Sequence, residues 1–116
     1  MSLKETIMSN FDSSLPKEWK ASCDTVGGQI LDVRTDAEFE ESFIDGAIQV
    51  DFMGQNFASE IEKLDKNKAD FIYCRSGVRS RKAMAIMEST GFKEVHNLDG
   101  GIMQWEQKGM EVNYGD

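Results

Sequence analysis

Cys74 ends the apolar run Phe71-Ile72-Tyr73 and opens the stretch Cys74-Arg75-Ser76-Gly77-Val78-Arg79-Ser80. The run reads as a strand, and Ser80 to Ser89 reads as a helix. The thiol therefore falls where a strand's carboxyl end meets a helix N-terminus. Free amides and the helix dipole favour negative charge there. That is the setting a reactive thiolate needs. An ordinary cysteine with a pKa of about 8.5 is only about 3% thiolate at pH 7. A helix N-terminus worth up to about 2 kcal/mol lowers that pKa by about 1.5 units, before any cation is counted. Gly77 and the small Ser76 let consecutive amides turn inward around an anion.

A strand cysteine is commonly an inert core thiol. The terminal position of Cys74, the arginines of its loop and the helix that follows argue against that role here. Three of the four arginines (Arg75, Arg79, Arg81) fall within seven residues, Lys82 follows, and no acid lies between Asp70 and Glu88. Arg81 and Lys82 could simply be solvated helix residues. Arg75 and Arg79 lie inside the loop and read as an anion site.

A papain-like cysteine hydrolase needs a histidine base near its thiol. The single histidine, His96, lies in a weak strand and reads as structural or solvent-facing. Two cysteines, Cys23 and Cys74, make no disulfide framework, and no metal-ligand spacing is present, so a zinc site is not expected. What remains is attack by a thiolate without a base, in a loop that stabilises anionic sulfur or an oxyanion.

The elements that must position this loop follow from the rest of the chain. Its 116 residues predict one domain, 1–116. Pro16 starts a helix and Gly27-Gly28 gives a turn. Gln29 to Val33 reads as a buried strand. Thr35 and Glu38 have capping-box spacing and open a short helix to about Glu41, with Arg34 expected to pair with Glu38. Ala47 to Val50 reads as a second strand, and Asn56 as the cap of a helix reaching Leu64. Asp70 to Tyr73 and Glu94 to Leu98 read as further strands. Gly91 stops the helix between them, and Asp99 caps a last helix over Gly100 to Lys108. Phe39 and Trp105 read as core. Strands alternating with helices imply an α/β fold with a largely parallel sheet, whose ligands bind beyond the strands' carboxyl ends. Cys74 sits at such an end.

A net charge of −8 disfavours nucleic acid and acidic membranes as partners. No apolar run approaches the roughly 20 residues of a membrane span, and Met1 to Met8 shows no apolar signal region. A cytoplasmic protein is expected. Nothing marks an oligomeric interface.

Four motifs, in order, resemble the rhodanese family of sulfurtransferases over about residues 14–112. The Cys74–Ser80 loop is similar to its Cys-Arg-Ser-Gly-x-Arg-Ser variant. Leu31-Asp32-Val33-Arg34 with Glu38-Phe39, Ile44-Asp45-Gly46-Ala47 and Gly100-Gly101-Ile102-Met103-Gln104-Trp105 resemble three further elements of the family. The resemblance implies a three-layer domain with a central, mostly parallel five-stranded sheet flanked by helices. It implies that Cys74 attacks the sulfane sulfur of thiosulfate or a persulfide. The Cys74 persulfide would be cradled by Arg75, Ser76, Gly77, Val78, Arg79 and Ser80, with Arg75 and Arg79 guiding an anionic donor. Cyanide, a cellular thiol or a thioredoxin-like protein would then take the sulfur. No metal or cofactor is expected. A sulfur-carrier or regulatory role toward a partner protein is the alternative.

Related phosphatases of this fold use Cys-x5-Arg. Here four residues separate Cys74 from Arg79 and six separate it from Arg81, so neither a phosphatase nor an arsenate reductase is favoured. Ser42-Phe43 replaces the family's usual Gly-His, and Gly109-Met110-Glu111-Val112 stands where its tail often has Gly-x-Pro-Val, with Glu111 at the proline position. Cys23 could resolve a Cys74 persulfide as a disulfide.

Overall fold

Every strand pairing of the central sheet is parallel, so each connection must cross a face, and the helices do so. A computed structural model describes residues 10–115. Its elements are β1 (Phe11–Ser14), α1 (Pro16–Val26), β2 (Gln29–Asp32), α2 (Asp36–Glu41), β3 (Ile48–Gln49), α3 (Phe57–Glu62), β4 (Ala69–Tyr73), α4 (Val78–Ser89), β5 (Glu94–Leu98) and α5 (Gly101–Gln107). The five strands lie in the order β1-β5-β4-β2-β3. The α/β, three-layer expectation holds.

β4 occupies the centre, covered on both faces, which is why its sequence is a continuous apolar run rather than an alternation. Strand periodicity divides its side chains between two cores. Ile72 and Cys74 join Leu31, Val33 and Val95 beneath α3 and α4. Phe71 and Tyr73 point the other way, toward Trp19 and Cys23 of α1 and Ile102 and Trp105 of α5. Trp19 is fully buried and meets Phe71, Tyr73 and Trp105 edge-on, with centroids 5.7 to 6.3 Å apart. Trp105 is core as expected. Among the described residues no helix is long and apolar enough to cross a membrane.

Several local expectations change. Residue patterning misses β1, whose Phe-Asp-Ser-Ser sequence carries a single apolar residue. Pairing with β5, Phe11 against Val95 through Ser14 against Leu98, makes it a strand. β3 shrinks to Ile48–Gln49. Asn56 precedes α3 without a side-chain capping bond. The last helix is capped by Gly100 in a left-handed conformation (φ 79°) rather than by Asp99. The Thr35–Glu38 capping box forms in full. Phe39 is half-buried, stacked on Phe43 at 4.5 Å, instead of in the core. Arg34 pairs with Asp32, not with Glu38: its Nη2 donates to Asp32 Oδ2 at 2.7 Å in a buried pair.

Candidate active site

The strand β4 ends at Tyr73, and the next residue, Cys74, is buried to 1% exposure. The chain then turns through Arg75 and Ser76, both exposed, to Gly77, whose φ of 103° is open to glycine at little cost. That turn starts α4 at Val78, two residues earlier than the sequence suggests. The early start matters, because it aims the first amides of α4 back at the sulfur. Cys74 Sγ accepts from Gly77 N at 3.0 Å, from Ser80 N at 3.4 Å and from Ser80 Oγ at 3.4 Å.

Burial pushes the Cys74 thiol up, as it would any ionisable group whose charged form loses water. The Ser80 hydroxyl, the Ser80 and Gly77 amides and the Ser76 amide outweigh that effect together and hold its pKa below the ordinary thiol value. The cause is hydrogen bonding to the charged form, more than any ion pair.

The loop is locked from the other side by α5. Ile102 N donates to the Cys74 carbonyl at 3.0 Å and Met103 N to the Arg75 carbonyl at 3.1 Å. Gly101 makes this approach possible: a Cβ there would collide with the Arg75 carbonyl. The close backbone approach expected of Gly100-Gly101 is thus an approach to the cysteine loop itself.

The loop residues divide by environment. Gly77 and Ser80 are buried, Val78 is 54% exposed, and Arg79 is partly buried. Arg79 does not present a free guanidinium for a donor's oxygens. It forms a two-pronged pair with Glu38, Nη1 to Oε1 at 2.7 Å and Nη2 to Oε2 at 2.8 Å. The Arg79 bonds, aided by Thr35, hold the Glu38 carboxyl down at about 2 despite partial burial. Arg75 lines a cleft of about 120 Å³ together with Glu41, Glu106 and Met103. Arg81 and Lys82 are solvated, Arg81 lying 3.8 Å from Asp99.

Sequence reading missed two contributors. Glu38 was legible as a capping residue and as a partner for Arg34, but not as the partner of Arg79, which is 41 positions away. Asn97 on β5 is fully buried and accepts from Ser80 Oγ at 2.5 Å. No local spacing signals either contact.

His96 offers no base to Cys74: its ring nitrogens lie 2.6 Å from Asp12 Oδ1 and 2.6 Å from Glu94 Oε2. Burial lowers its pKa, but the two carboxylates raise it further than burial lowers it. Cys23 sits in the opposite core from Cys74, its Sγ donating to the Gly28 carbonyl at 3.6 Å, and burial pushes its thiol up. A disulfide between the two cysteines has the sheet in its way. Among the described residues no group of three or more histidine, cysteine or acidic side chains is placed to hold a metal ion.

The model of the rhodanese-like domain matches residues 15–108 of this chain. The chain belongs to the rhodanese-like family. A protein of Allochromatium vinosum named Sulfurtransferase is 34% identical over 89 residues, covering 77% of this chain and 81% of that protein. A Staphylococcus aureus protein solved as a rhodanese-like domain protein superimposes with a TM-score of 0.76 at 28% identity, over 90% of this chain and 99% of that one. Proteins named tRNA uridine(34) hydroxylase also match. The one from Teredinibacter turnerae is 29% identical over 102 residues, which are 84% of this chain but only 32% of the relative. The chain thus spans about a third of those longer proteins.

Proposed function

We propose that the chain is a sulfurtransferase that carries a sulfane sulfur on Cys74. The observation that supports this most directly is the set of three donors, Gly77 N, Ser80 N and Ser80 Oγ, within 3.4 Å of the Cys74 sulfur. They favour the thiolate without a histidine base. The Cys74 thiolate attacks the outer sulfur of a donor such as thiosulfate. A Cys74 S–S bond forms, the sulfur–sulfur bond of thiosulfate breaks, and sulfite leaves with the bonding pair. A thiolate or cyanide then attacks the outer sulfur of the persulfide, and Cys74 leaves as a thiolate. Splitting the transfer over a covalent intermediate replaces one hard step by two easier ones.

Incubation with thiosulfate followed by intact-mass measurement tests the reading. The expected result is one labile added sulfur per chain, removed by cyanide and absent from Cys74→Ser. A protein that never gains that mass with thiosulfate or a small-molecule persulfide would sink it.

The engagement of Arg79 by Glu38 favours a second reading of the substrate. Of the two arginines expected to guide an anionic donor, one is neutralised and the other, Arg75, shares its cleft with Glu41 and Glu106. Small anions gain little there. A persulfide or thiol carried on a partner protein needs no such charge. On that reading thiosulfate loads Cys74 slowly, and a protein-bound persulfide or a thioredoxin-like acceptor exchanges sulfur with it faster. A donor and acceptor panel measured on wild type and Cys74→Ser separates the two.

A further inference from the structure

The Ser80 hydroxyl stands between two acceptors and has one proton. Its Oγ lies 3.4 Å from Cys74 Sγ and 2.5 Å from Asn97 Oδ1. Ser80 and Asn97 are both fully buried, so water does not stand in for a missing partner. Asn97 Nδ2 donates to Ser13 Oγ of β1 at 3.1 Å, which leaves Oδ1 facing Ser80. A side-chain carbonyl only accepts, and a serine hydroxyl donates once. While Cys74 is a thiol, all three groups are satisfied: S–H donates to Ser80 Oγ, and Ser80 donates to Asn97. When Cys74 ionises, the hydroxyl must choose. It turns to the sulfur and orphans a buried carbonyl oxygen, or it stays with Asn97 and the sulfur loses a donor.

We infer that Asn97 competes with the Cys74 thiolate for the single proton of Ser80 Oγ, and is thereby a positioning residue that restrains ionisation of the sulfur. This rests on the reading of Cys74 as the reacting thiol. The amides of Gly77 and Ser80 pull the sulfur toward the thiolate; Asn97, through Ser80, pulls back. The result is a thiolate that forms readily but keeps the basicity a nucleophile needs, since nucleophilicity falls as thiol pKa falls. The charged groups that bear on the network are Arg79 of α4, which acts on Cys74, and its neighbours Glu38 of α2 and Asp51 after β3. The proposed substitutions leave all of them in place.

The test is a pH titration of thiolate ultraviolet absorbance on the full chain, each protein read as a difference from its own Cys74→Ser counterpart. That difference removes Cys23 and the tyrosines. Asn97→Leu, which keeps the bulk and deletes the acceptor, is expected to give about three- to tenfold more thiolate at a fixed pH below the pKa. Ser80→Ala moves the balance the other way. In the Ser80→Ala protein Asn97→Leu has no further effect, a non-additivity that a purely structural residue does not produce. Should Asn97→Leu not fold, Asn97→Asp keeps the shape and strengthens the acceptor. It must then reduce the thiolate fraction more with Ser80 present than in its absence. Unchanged or reduced thiolate in folded Asn97→Leu, or equal shifts with and without Ser80, overturns the inference. No sulfur donor enters the titration, so this result and persulfide formation on Cys74 can fail independently.

Discussion

The two ends of β4 bury one ionisable group each, with opposite outcomes. At the amino end Asp70 is fully buried; its Oδ1 accepts from Gln29 Nε2 at 2.7 Å and its Oδ2 has no partner among the described residues. Burial pushes its pKa up to about 6. At the carboxyl end Cys74 is just as buried, yet its pKa is lowered. Desolvation acts in the same direction on both. The difference is the supply of donors. A parallel strand followed by a helix directs that helix's first amides at whatever stands on the strand's carboxyl end. The amino end has no such amides converging on it, and Asp70 must rely on one glutamine.

The largest effect expected from breaking this contrast comes from Gly101→Ala. The new Cβ meets the Arg75 carbonyl, at a φ of 62° that also disfavours alanine. Loss on the order of 2–4 kcal/mol in chemical denaturation is expected, and sulfur loading of any folded fraction should drop with it. Wild-type stability would show that the loop does not depend on α5.

The next effect concerns pH. A folded-state pKa of about 6 lies above the roughly 3.9 of an unfolded aspartate, so between those values the folded chain holds more protons. Asp70 therefore makes stability fall as pH rises through about 4 to 6, by on the order of 3 kcal/mol. Asp70→Asn is expected to remove that slope and to stabilise the protein at pH 7. Glu38 has the opposite sign. Held at about 2 by Arg79, it contributes stability above the ordinary glutamate pKa that is lost as pH falls from about 4.5 toward 2. Urea denaturation at several pH values resolves both slopes. If Asp70→Asn steepens the fall between pH 4 and 6, the account of the amino end is wrong.

The smallest effect sharpens the sulfur end. Ser80→Ala removes the hydroxyl and leaves the amides, so the acid limb of sulfur transfer, which reports ionisation of the nucleophile, is expected to move up by about 0.5–1 pH unit. A displacement of several units would mean that the hydroxyl, rather than the amide cradle, carries the stabilisation.

Much of this site was legible because it is local. Cys74, Ser76, Gly77 and Ser80 fall within seven residues, and a strand-to-helix junction makes amides converge whatever the rest of the fold does. The capping box of Thr35 and Glu38 is equally local. The errors share the reverse property. Arg34 lies four residues before Glu38, yet it turned to Asp32, because Asp32 is buried beside it and needs a charge partner. Glu38 was thereby left for Arg79. β1 carries too few apolar residues to announce itself and is a strand because β5 offers an unpaired edge.

Local order along the chain thus determined the α/β class, the thiol at the end of β4 and the loop that bends around it, since helix starts, glycine turns and strand runs are set by neighbours in sequence. Tertiary structure alone decided which charges remain free and which proton each buried acceptor receives. Arg79 is claimed by Glu38 from 41 residues away, and Ser80 by Asn97 from 17. Both follow from burial, where a polar group without a partner is costly and takes the one the packing brings within reach.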